Sequence, residues 1–181
     1  TQGVSSAASD VYKRQGSGSG KSTLADALVS EIGSSFATVL TVDAYYHDLA
    51  HLSLSAREQT NFDHPDALDL ALFEQHVLAL KRGQTIQQPC YDFETHCRQA
   101  QTIEMIPRKW IVVEGILVTA TASLRDLYDQ VIYVEADSTV RWQRRLQRDQ
   151  RDRGRDEASI ERFWARAEET FMTQGLSLIH I

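Results

Sequence analysis

The segment GSGSGKST at residues 16–23 is the feature that most constrains what this chain can fold into. Its glycines let the backbone turn so tightly that successive N–H groups converge on one point, where they can bind phosphate oxygens. Helix-forming residues run from Lys21 to Ile32, so the positive end of a helix would face the same point. Lys21 adds a positive charge for the β- and γ-phosphates, and the Ser22 hydroxyl can bind Mg²⁺. The segment therefore predicts a phosphate-binding loop.

The loop departs from its usual pattern on the N-terminal side. The full pattern is G-x-x-x-x-G-K-[ST], and Gln15 stands where its first glycine belongs. Residues 1–15 contain no apolar run, although such a loop normally follows a buried strand. A flexible serine–glycine linker is the alternative interpretation of SGSGKST. The helix signals that begin at Lys21, and the acids further along the chain, favour the phosphate-binding loop.

Helix and strand signals alternate along the rest of the chain. The predicted strands are 36–43, 109–115 and 130–136, and the predicted helices are 65–83, about 138–152 and 157–173. The last two strands are near-continuous apolar runs, as expected of strands buried on both faces. Two short extended segments around ETHCRQA predict a hairpin. The alternation indicates an α/β fold around a parallel sheet.

Composition excludes several classes of protein. The 181 residues include 25 acidic and 19 basic side chains, and the net charge of −6 argues against a nucleic-acid-binding protein. Cys90 and Cys97 lack metal-site spacing and are too few for a disulfide framework, so we expect two reduced thiols. No apolar run approaches the roughly 18 residues that a membrane helix requires. We expect a soluble, cytoplasmic protein that binds neither nucleic acid nor membrane.

Two acids stand at the carboxyl ends of predicted strands, where open α/β sheets bind ligands. Asp43 ends the strand TVLTV, and Glu114 ends WIVV. One carboxylate could receive the proton of an attacking hydroxyl while the other orders Mg²⁺-bound water, which is the requirement of phosphoryl transfer. The alternative is that each acid only begins a solvated loop. The phosphate-binding loop favours the functional interpretation.

The segment RWQRRLQRDQRDRGRD, which begins at Arg141, contains seven arginines. Four of them share one helical face, namely Arg141, Arg144, Arg145 and Arg148. They could form a lid whose guanidinium groups close over a transferring phosphoryl group. They could instead form a solvated basic face balanced by Asp149 and Asp152, or a stripe for nucleic acid. The phosphate-binding loop favours the lid, and the negative net charge disfavours the stripe.

Six motifs in this order resemble the uridine kinase family of P-loop kinases, from the loop to about Thr173. They are GSGSGKST, VDAYY, NFDHPDALD, YDFETHCR, VVEGIL and RDQRDRGRD. The resemblance implies a P-loop NTPase-type parallel sheet flanked by helices, with a small β-hairpin for the substrate and an arginine-rich helical lid. It implies transfer of phosphate from ATP, or GTP, with Mg²⁺ to the 5′-hydroxyl of uridine, and of cytidine, in pyrimidine salvage. A homotetramer and feedback inhibition by CTP are further family expectations.

The resemblance also implies a role for each candidate site residue. The ATP phosphates would be bound by Gly16, Ser17, Gly18, Ser19, Gly20, Lys21, Ser22, Thr23 and Arg153. Asp43 would be the base that faces the 5′-hydroxyl, with Lys21 and Arg148 also catalytic. Mg²⁺ would be bound by Ser22 directly, and by Glu114 and Asp43 through water. The nucleoside would be bound by Tyr46, Asp63, Tyr91, Phe93, His96, Arg145 and Arg155. Asp63 would bind the ribose diol, while Tyr91, His96 and Phe93 would contact the base.

Three site positions leave alternatives open. Asp63 could merely cap the helix that begins near Asp66, and His96 could be an exposed loop histidine. Phe163 stands where the resemblance expects a glutamine that touches the nucleoside, so the preference between uridine and cytidine stays open.

The resemblance further implies an apolar strand before the loop, and a strand and helix after Thr173. SSAASDVYKRQ and LSLIHI instead resemble translated sequencing adapters, so we expect residues 1–15 and 175–181 to be non-native. Residues 16–174 would then be a single, incomplete kinase domain. The alternative is a native N-terminus of unusual sequence. Because loss of a central strand removes backbone hydrogen bonds and buried apolar surface, we expect low stability and weak or no activity.

Other functions are compatible with a phosphate-binding loop. Related kinases act on nicotinamide riboside, pantothenate or ribulose phosphate, and a regulatory protein could bind nucleotide without turnover. A GTP-driven switch is disfavoured because the chain has no N-K-x-D and no D-x-x-G segment.

Overall fold

The loop at residues 17–20 leads directly into a helix, as its sequence predicts. The structure is a computed structural model that describes residues 17–174 and 178–180. Some predictions lie outside the described residues. These residues exclude Gly16, the segment 1–15 that we expect to be non-native, and residues 175–177 and 181 of the segment 175–181 that we also expect to be non-native. The helices are α1 Lys21–Ile32, α2 Leu54–Arg57, α3 Leu70–Lys81, α4 Ala122–Asp126, α5 Ser138–Arg153 and α6 Glu157–Gln174. The strands are β1 Ala37–Thr41, β2 Ile86–Asp92, β3 Cys97–Met105, β4 Trp110–Gly115, β5 Val131–Ile132 and β6 Leu178–His180.

The main sheet has the strand order β1-β4-β6-β5. Strands β1 and β4 are parallel, with Ala37 opposite Trp110 and Thr41 opposite Glu114. Their carboxyl ends therefore meet at one edge of the sheet, and this confirms the expected parallel α/β arrangement. Strand β6 lies between β4 and β5 and is antiparallel to both.

Two strand predictions need correction. The strand predicted over 36–43 ends at Thr41, and Asp43 lies in the 3₁₀ turn Val42–Tyr45 that follows it. The strand predicted over 130–136 pairs only over Val131–Ile132, because the three-residue β6 is the partner that the described residues provide. Val131 is 41% exposed and Tyr133 is 56% exposed, so this run is not buried on both faces.

The helix predicted over 65–83 is divided into the 3₁₀ turn Pro65–Ala67 and α3. Leu68 leaves the helical path to form a β-bridge with Tyr46. The Asp69 side chain caps α3 and accepts a hydrogen bond from the Leu72 N–H at 3.1 Å. The break brings the segment before α3 against the end of β1.

The expected hairpin is present as a separate antiparallel pair, β2–β3. It packs against the 3₁₀ turn that follows β1, next to a core in which Leu40, Tyr45 and Phe73 are fully buried. Each helix in the described part of the chain is too short or too polar to cross a bilayer. Both cysteines are free thiols.

Candidate active site

A first cavity, here called the phosphate cavity, lies between the loop, the ends of β1 and β4, and α5. Its lining residues are Ser17, Gly18, Gly20, Lys21, Ser22, Thr23, Asp43, Glu114, Gly115, Ile116, Arg144 and Arg148. Gly18 and Gly20 have φ angles of 84° and 101°, which side-chain-bearing residues rarely adopt. A Cβ on Gly18 would lie 2.5 Å from the Arg141 carbonyl oxygen, so this glycine also lets α5 approach the loop.

Charged groups are concentrated in the phosphate cavity. The Lys21 side chain is buried at the start of α1, and burial lowers its pKa, although the nearby Asp43 and Glu114 carboxylates oppose that shift. Burial and the neighbouring Asp43 raise the pKa of Glu114. The cavity therefore brings one ammonium and two carboxylates together in partly dry surroundings.

The same groups fit a magnesium ion. The Ser22 hydroxyl donates to Glu114 Oε2 at 3.1 Å, and Asp43 Oδ1 is buried without a hydrogen-bond partner among the described residues. A hydroxyl and two carboxylates are oxygen ligands of the kind that Mg²⁺ prefers, and the ion usually keeps several waters. A divalent cation would also relieve the repulsion between Asp43 and Glu114, which adds to burial in raising the pKa of Glu114.

A second cavity, here called the aromatic cavity, adjoins the first. Its lining residues are Ser17, Asp43, Tyr46, Phe62, Asp63, Tyr91, Phe93, His96, Ile116, Arg145, Arg148, Arg153, Arg155 and Phe163. Ser17, Asp43, Ile116 and Arg148 line both cavities. Asp43 is the one carboxylate in that shared set, so a ligand in either cavity could reach it.

Aromatic rings and buried polar atoms form the walls of the aromatic cavity. Phe62 and His96 stack with ring centroids 4.6 Å apart, and the Tyr46 hydroxyl donates to the Phe62 carbonyl oxygen at 3.0 Å. Burial, with a smaller effect of Arg155, lowers the pKa of His96 to about 4, so its ring is neutral near pH 7. His96 Nδ1 and the Tyr91 hydroxyl are buried without partners among the described residues. Such atoms can bind the polar edge of a planar ligand.

The structure decides two alternatives that the sequence left open. The cap near Asp66 is His64, whose Nδ1 accepts a hydrogen bond from the Asp66 N–H at 3.2 Å. Asp63 instead lines the aromatic cavity, where burial raises its pKa and Arg145 partly opposes this shift. His96 is only 4% exposed, so it is not a solvated loop histidine.

Helix α5 covers the loop with part of its arginine face. Arg144 Nη1 donates to the carbonyl oxygens of Gly18 and Ser19 at 3.4 and 3.3 Å, and Arg148 Nη2 donates to Ser17 Oγ at 3.3 Å. Arg141, although on the same face, binds both carboxylate oxygens of Glu168 on α6 at 2.8 and 3.0 Å. Three of the four arginines on the predicted face therefore line a cavity, and the fourth joins α5 to α6.

Asp149 is the centre of the arginine cluster. Its side chain is fully buried and lies within ion-pair distance of four guanidinium groups, at 2.7 Å (Arg148), 3.4 Å (Arg155), 3.6 Å (Arg153) and 3.7 Å (Arg145). Burial opposes its ionisation, but Arg153 and Arg148 outweigh burial and lower its pKa. Asp149 is thus not part of a solvated face, whereas the Arg151–Asp152 pair is exposed.

Similar proteins show which family the chain belongs to. A family model described as the phosphoribulokinase / uridine kinase family matches residues 15–174. The chain belongs to this family. Proteins named uridine kinase from Alkaliphilus metalliredigens (strain QYMF) and Shewanella frigidimarina (strain NCIMB 400) are 41% and 40% identical to it over 145 and 148 residues. In both cases the match covers 80% of this chain and 70% of the relative.

Solved structures agree on the family fold. A protein described as a candidate fructose transport system kinase from Silicibacter sp. TM1040 superposes with a TM-score of 0.62 at 24% identity, covering 88% of this chain and 79% of that one. A candidate uridine kinase from Bacillus stearothermophilus superposes with a TM-score of 0.52 at 17% identity, covering 85% and 79%. At these identities the likeness shows the fold alone.

The residues that the family resemblance singled out fall into the two cavities. The expected phosphate-binding residues Ser17, Gly18, Gly20, Lys21, Ser22 and Thr23 line the phosphate cavity, and Ser19 is buried beside it. The expected nucleoside-binding residues Tyr46, Asp63, Tyr91, Phe93, His96, Arg145 and Arg155 line the aromatic cavity. Arg153, expected at the phosphates, has its guanidinium 4.5 Å from the centre of the Phe93 ring in the aromatic cavity. Its phosphate contact stays a prediction.

Five further residues line the cavities without an individual role from the resemblance, namely Phe62, Gly115, Ile116, Arg144 and Phe163. Four of them are sequence neighbours of a residue with a role: Phe62 precedes Asp63, Gly115 and Ile116 follow Glu114, and Arg144, already part of the predicted lid face, precedes Arg145. That proximity is the signal by which they could have been found. Phe163 is buried, and Arg155 places its guanidinium 4.2 Å from the centre of its ring. This position therefore presents an aromatic ring to the cavity and no amide group.

Proposed function

We propose that this chain transfers the γ-phosphate of ATP to the 5′-hydroxyl of uridine, and of cytidine, giving UMP and CMP. The observation that carries the proposal is that Asp43 lies where a phosphate cavity and an aromatic cavity meet. Relatives at 40–41% identity are named uridine kinase.

The phosphate donor is bound by the loop and the lid. Amide groups of residues 17–22, the N-terminus of α1 and the Lys21 ammonium hold the phosphate oxygens. Ser22, Glu114 and Asp43 would hold Mg²⁺, which supplies further neutralisation of phosphate charge when it is bound. Arg148, already hydrogen-bonded to Ser17, reaches the same region from α5. These groups stabilise the negative charge of the transferring phosphoryl group.

The acceptor is bound in the aromatic cavity. Asp63 accepts hydrogen bonds from the ribose hydroxyls, and the base packs on Phe93 while Tyr91 and neutral His96 bind its edge. Asp43 Oδ1, which has no partner among the described residues, accepts the proton of the 5′-hydroxyl. The nucleoside oxygen then bonds to the γ-phosphorus as the bond between that phosphorus and the bridging oxygen breaks, and ADP leaves.

Several finer predictions accompany this function. We propose that residues 16–174 act as one kinase domain, and the family match over residues 15–174 supports this boundary. Placement in pyrimidine salvage, a cytoplasmic location, a homotetramer and feedback inhibition by CTP stay predictions. The expectations that residues 1–15 and 175–181 are foreign, and that activity is weak or absent, also stay predictions.

The test is a phosphoryl-transfer assay of the full 181-residue chain with ATP, Mg²⁺ and a panel of acceptors. Because weak turnover is expected, a stoichiometric amount of enzyme is mixed with ATP labelled in the γ-phosphate, and the labelled product is separated. The panel contains uridine, cytidine, nicotinamide riboside, pantothenate and ribulose 5-phosphate, with EDTA and acceptor-free controls. Labelled UMP and CMP are the expected products. Label on another acceptor, with none on uridine or cytidine, would overturn the proposal.

A further inference from the structure

We propose that Arg98 is a positioning residue that fixes the hairpin β2–β3 against the turn that carries Asp43. The inference rests on the proposed function, because it concerns where the nucleoside hydroxyl lies relative to Asp43. Arg98 belongs to the motif YDFETHCR but lines neither cavity, so it has no direct contact with either ligand site.

Arg98 makes three side-chain hydrogen bonds and one main-chain hydrogen bond. Its Nε donates to the Tyr46 carbonyl oxygen at 2.7 Å, and its Nη2 donates to the Tyr45 carbonyl oxygen at 2.9 Å and to Asp69 Oδ2 at 3.3 Å. Its main-chain N–H donates to Asp48 Oδ1 at 3.2 Å. The side chain is 22% exposed, so water competes little for these contacts.

The two carbonyl groups lie at the end of the turn, and that of Tyr45 accepts from the Asp69 N–H at 2.9 Å as well as from Arg98. Tyr45 ends the 3₁₀ turn Val42–Tyr45 and Tyr46 follows it, and the last carbonyls of a helical turn have no partner within that turn. A planar guanidinium presents several donors in a fixed fork and can bind neighbouring acceptors at once, which an ammonium group does less well. Asp43 belongs to the same four-residue turn, so the bonds that Arg98 makes restrain Asp43 too.

The other end of the link is the wall of the aromatic cavity. Arg98 lies directly opposite Tyr91 in the β2–β3 register, and His96 comes two residues earlier. Tyr91 and His96 line the aromatic cavity, whereas Asp69 caps α3. One side chain therefore joins the base-binding wall, the turn with Asp43 and the start of α3.

Loss of this link would affect the two substrates differently. The wall and Asp43 would no longer be held at a fixed separation, so a bound nucleoside would place its hydroxyl less accurately. Misplacement of about 1 Å can cost roughly a hundredfold in rate. The phosphate cavity is built from residues 17–23, Glu114 and α5, and none of these has a hydrogen bond with Arg98 among the described contacts.

The experiment compares R98M and R98K with R125M. Arg125 is a matched control because its Nη1 also donates to a main-chain carbonyl, that of Thr119 at 2.8 Å, but on α4 and away from both cavities. We expect R98M to lower kcat and raise the KM for uridine, with roughly a 10- to 100-fold loss in kcat/KM, and to leave the KM for ATP within about twofold. R98K should recover part of the loss, and R125M should keep the wild-type values for both substrates.

Hydrogen exchange of the same variants tests the link without turnover. Relative to R125M, R98M should exchange faster at residues 43–48 and 89–98, while α1 keeps its protection. Unchanged exchange in those two segments, or an equal rise in the KM for uridine and for ATP, would overturn the inference. Failure of the wild-type chain to phosphorylate uridine would instead count against the proposed function, and the exchange result would still decide the role of Arg98.

Discussion

The two cavities that meet at Asp43 are built in opposite ways. Six of the residues that line the phosphate cavity come from one stretch, residues 17–23. The aromatic cavity is assembled from distant segments: the turn after β1, residues 62–63, the hairpin β2–β3, the arginines of α5 and the loop after it, and Phe163 on α6. The first site therefore takes half of its lining from one local segment, whereas the second is assembled entirely from separate segments.

This difference predicts how each site fails. The phosphate cavity binds through backbone amides, a helix N-terminus and one ammonium, so a change at a single loop residue should damage it directly. The aromatic cavity depends on stacking and on buried polar atoms whose positions are set by contacts such as those of Arg98 and Asp149. Changes outside its walls should therefore damage it as well.

The largest effect is expected at the residue that both cavities share. D43N keeps the size of the side chain but removes the base, so kcat should fall by about 10²–10⁴-fold. The Kd values for ATP and for uridine should change far less, as measured by titration calorimetry. Asp26 is an exposed carboxylate on α1, and D26N serves as the control that keeps wild-type kcat. Unchanged turnover in D43N would remove Asp43 from the mechanism.

A smaller effect, confined to the aromatic cavity, is expected from D63N. Hydrogen bonds to a charged group contribute about 1.5–3 kcal/mol, so loss of the carboxylate charge should raise the KM for uridine roughly 10- to 100-fold. The KM for ATP should stay near the wild-type value. D66N, at an exposed carboxylate in the neighbouring turn, should leave both constants unchanged. A rise in the KM for ATP would mean that the two cavities do not bind their ligands independently.

The matching test of the phosphate cavity uses two glycines with similar backbone angles. Gly18 and Gly83 have φ values of 84° and 76°, so alanine at either position costs about 1–3 kcal/mol in strain. Only at Gly18 does the new Cβ meet another group, the Arg141 carbonyl oxygen, whereas no atom lies within 4 Å at Gly83. Both variants should melt earlier, and G18A alone should weaken ATP binding. Equal ATP affinity in the two variants would contradict the close approach of α5 to the loop.

The smallest effect is a pH dependence of stability that originates in the aromatic cavity. Burial lowers the pKa of His96 to about 4 from an ordinary value of about 6.5. Between these values the unfolded chain binds a proton that the folded chain does not, so stability is complete above pH 6.5 and falls as the pH drops towards 4. H96Q should flatten the dependence of Tm on pH over that window. The control H51Q, which changes an exposed histidine, should leave the dependence of Tm on pH as it is in the wild type.

Much of the fold and of the phosphate cavity could be predicted from the sequence, because the signals are contiguous. GSGSGKST combines glycines, a lysine and a helix start within eight residues. The apolar runs before Asp43 and Glu114 predicted that both acids would lie at one sheet edge, although Asp43 lies in a turn just beyond β1. The roles of Asp63 and His96 were predicted from the resemblance to a family and not from a sequence pattern.

The remaining features depend on contacts that no local pattern reveals. Asp149 looked like a solvated counter-ion between arginines, and only the packing of α5 and the loop after it makes it a buried centre. The sequence does not distinguish Arg98 from the other arginines, because its role depends on its contact with the turn after β1. The division of the predicted helix 65–83 follows from the bridge between Tyr46 and Leu68, which is a tertiary contact. The shortness of β5 likewise depends on which strand pairs with it.

The most direct measurement of the central claim, that one continuous site meets at Asp43, is the binding of a bisubstrate compound. Uridine joined through its 5′-oxygen and a chain of phosphates to adenosine would fill both cavities at once, and linked ligands bind more tightly than either part when the geometry permits. The account predicts that this compound displaces both uridine and ATP and binds with a lower Kd than either, as measured by calorimetry. A compound that displaces only one of them, or binds no more tightly than ATP, would contradict the account.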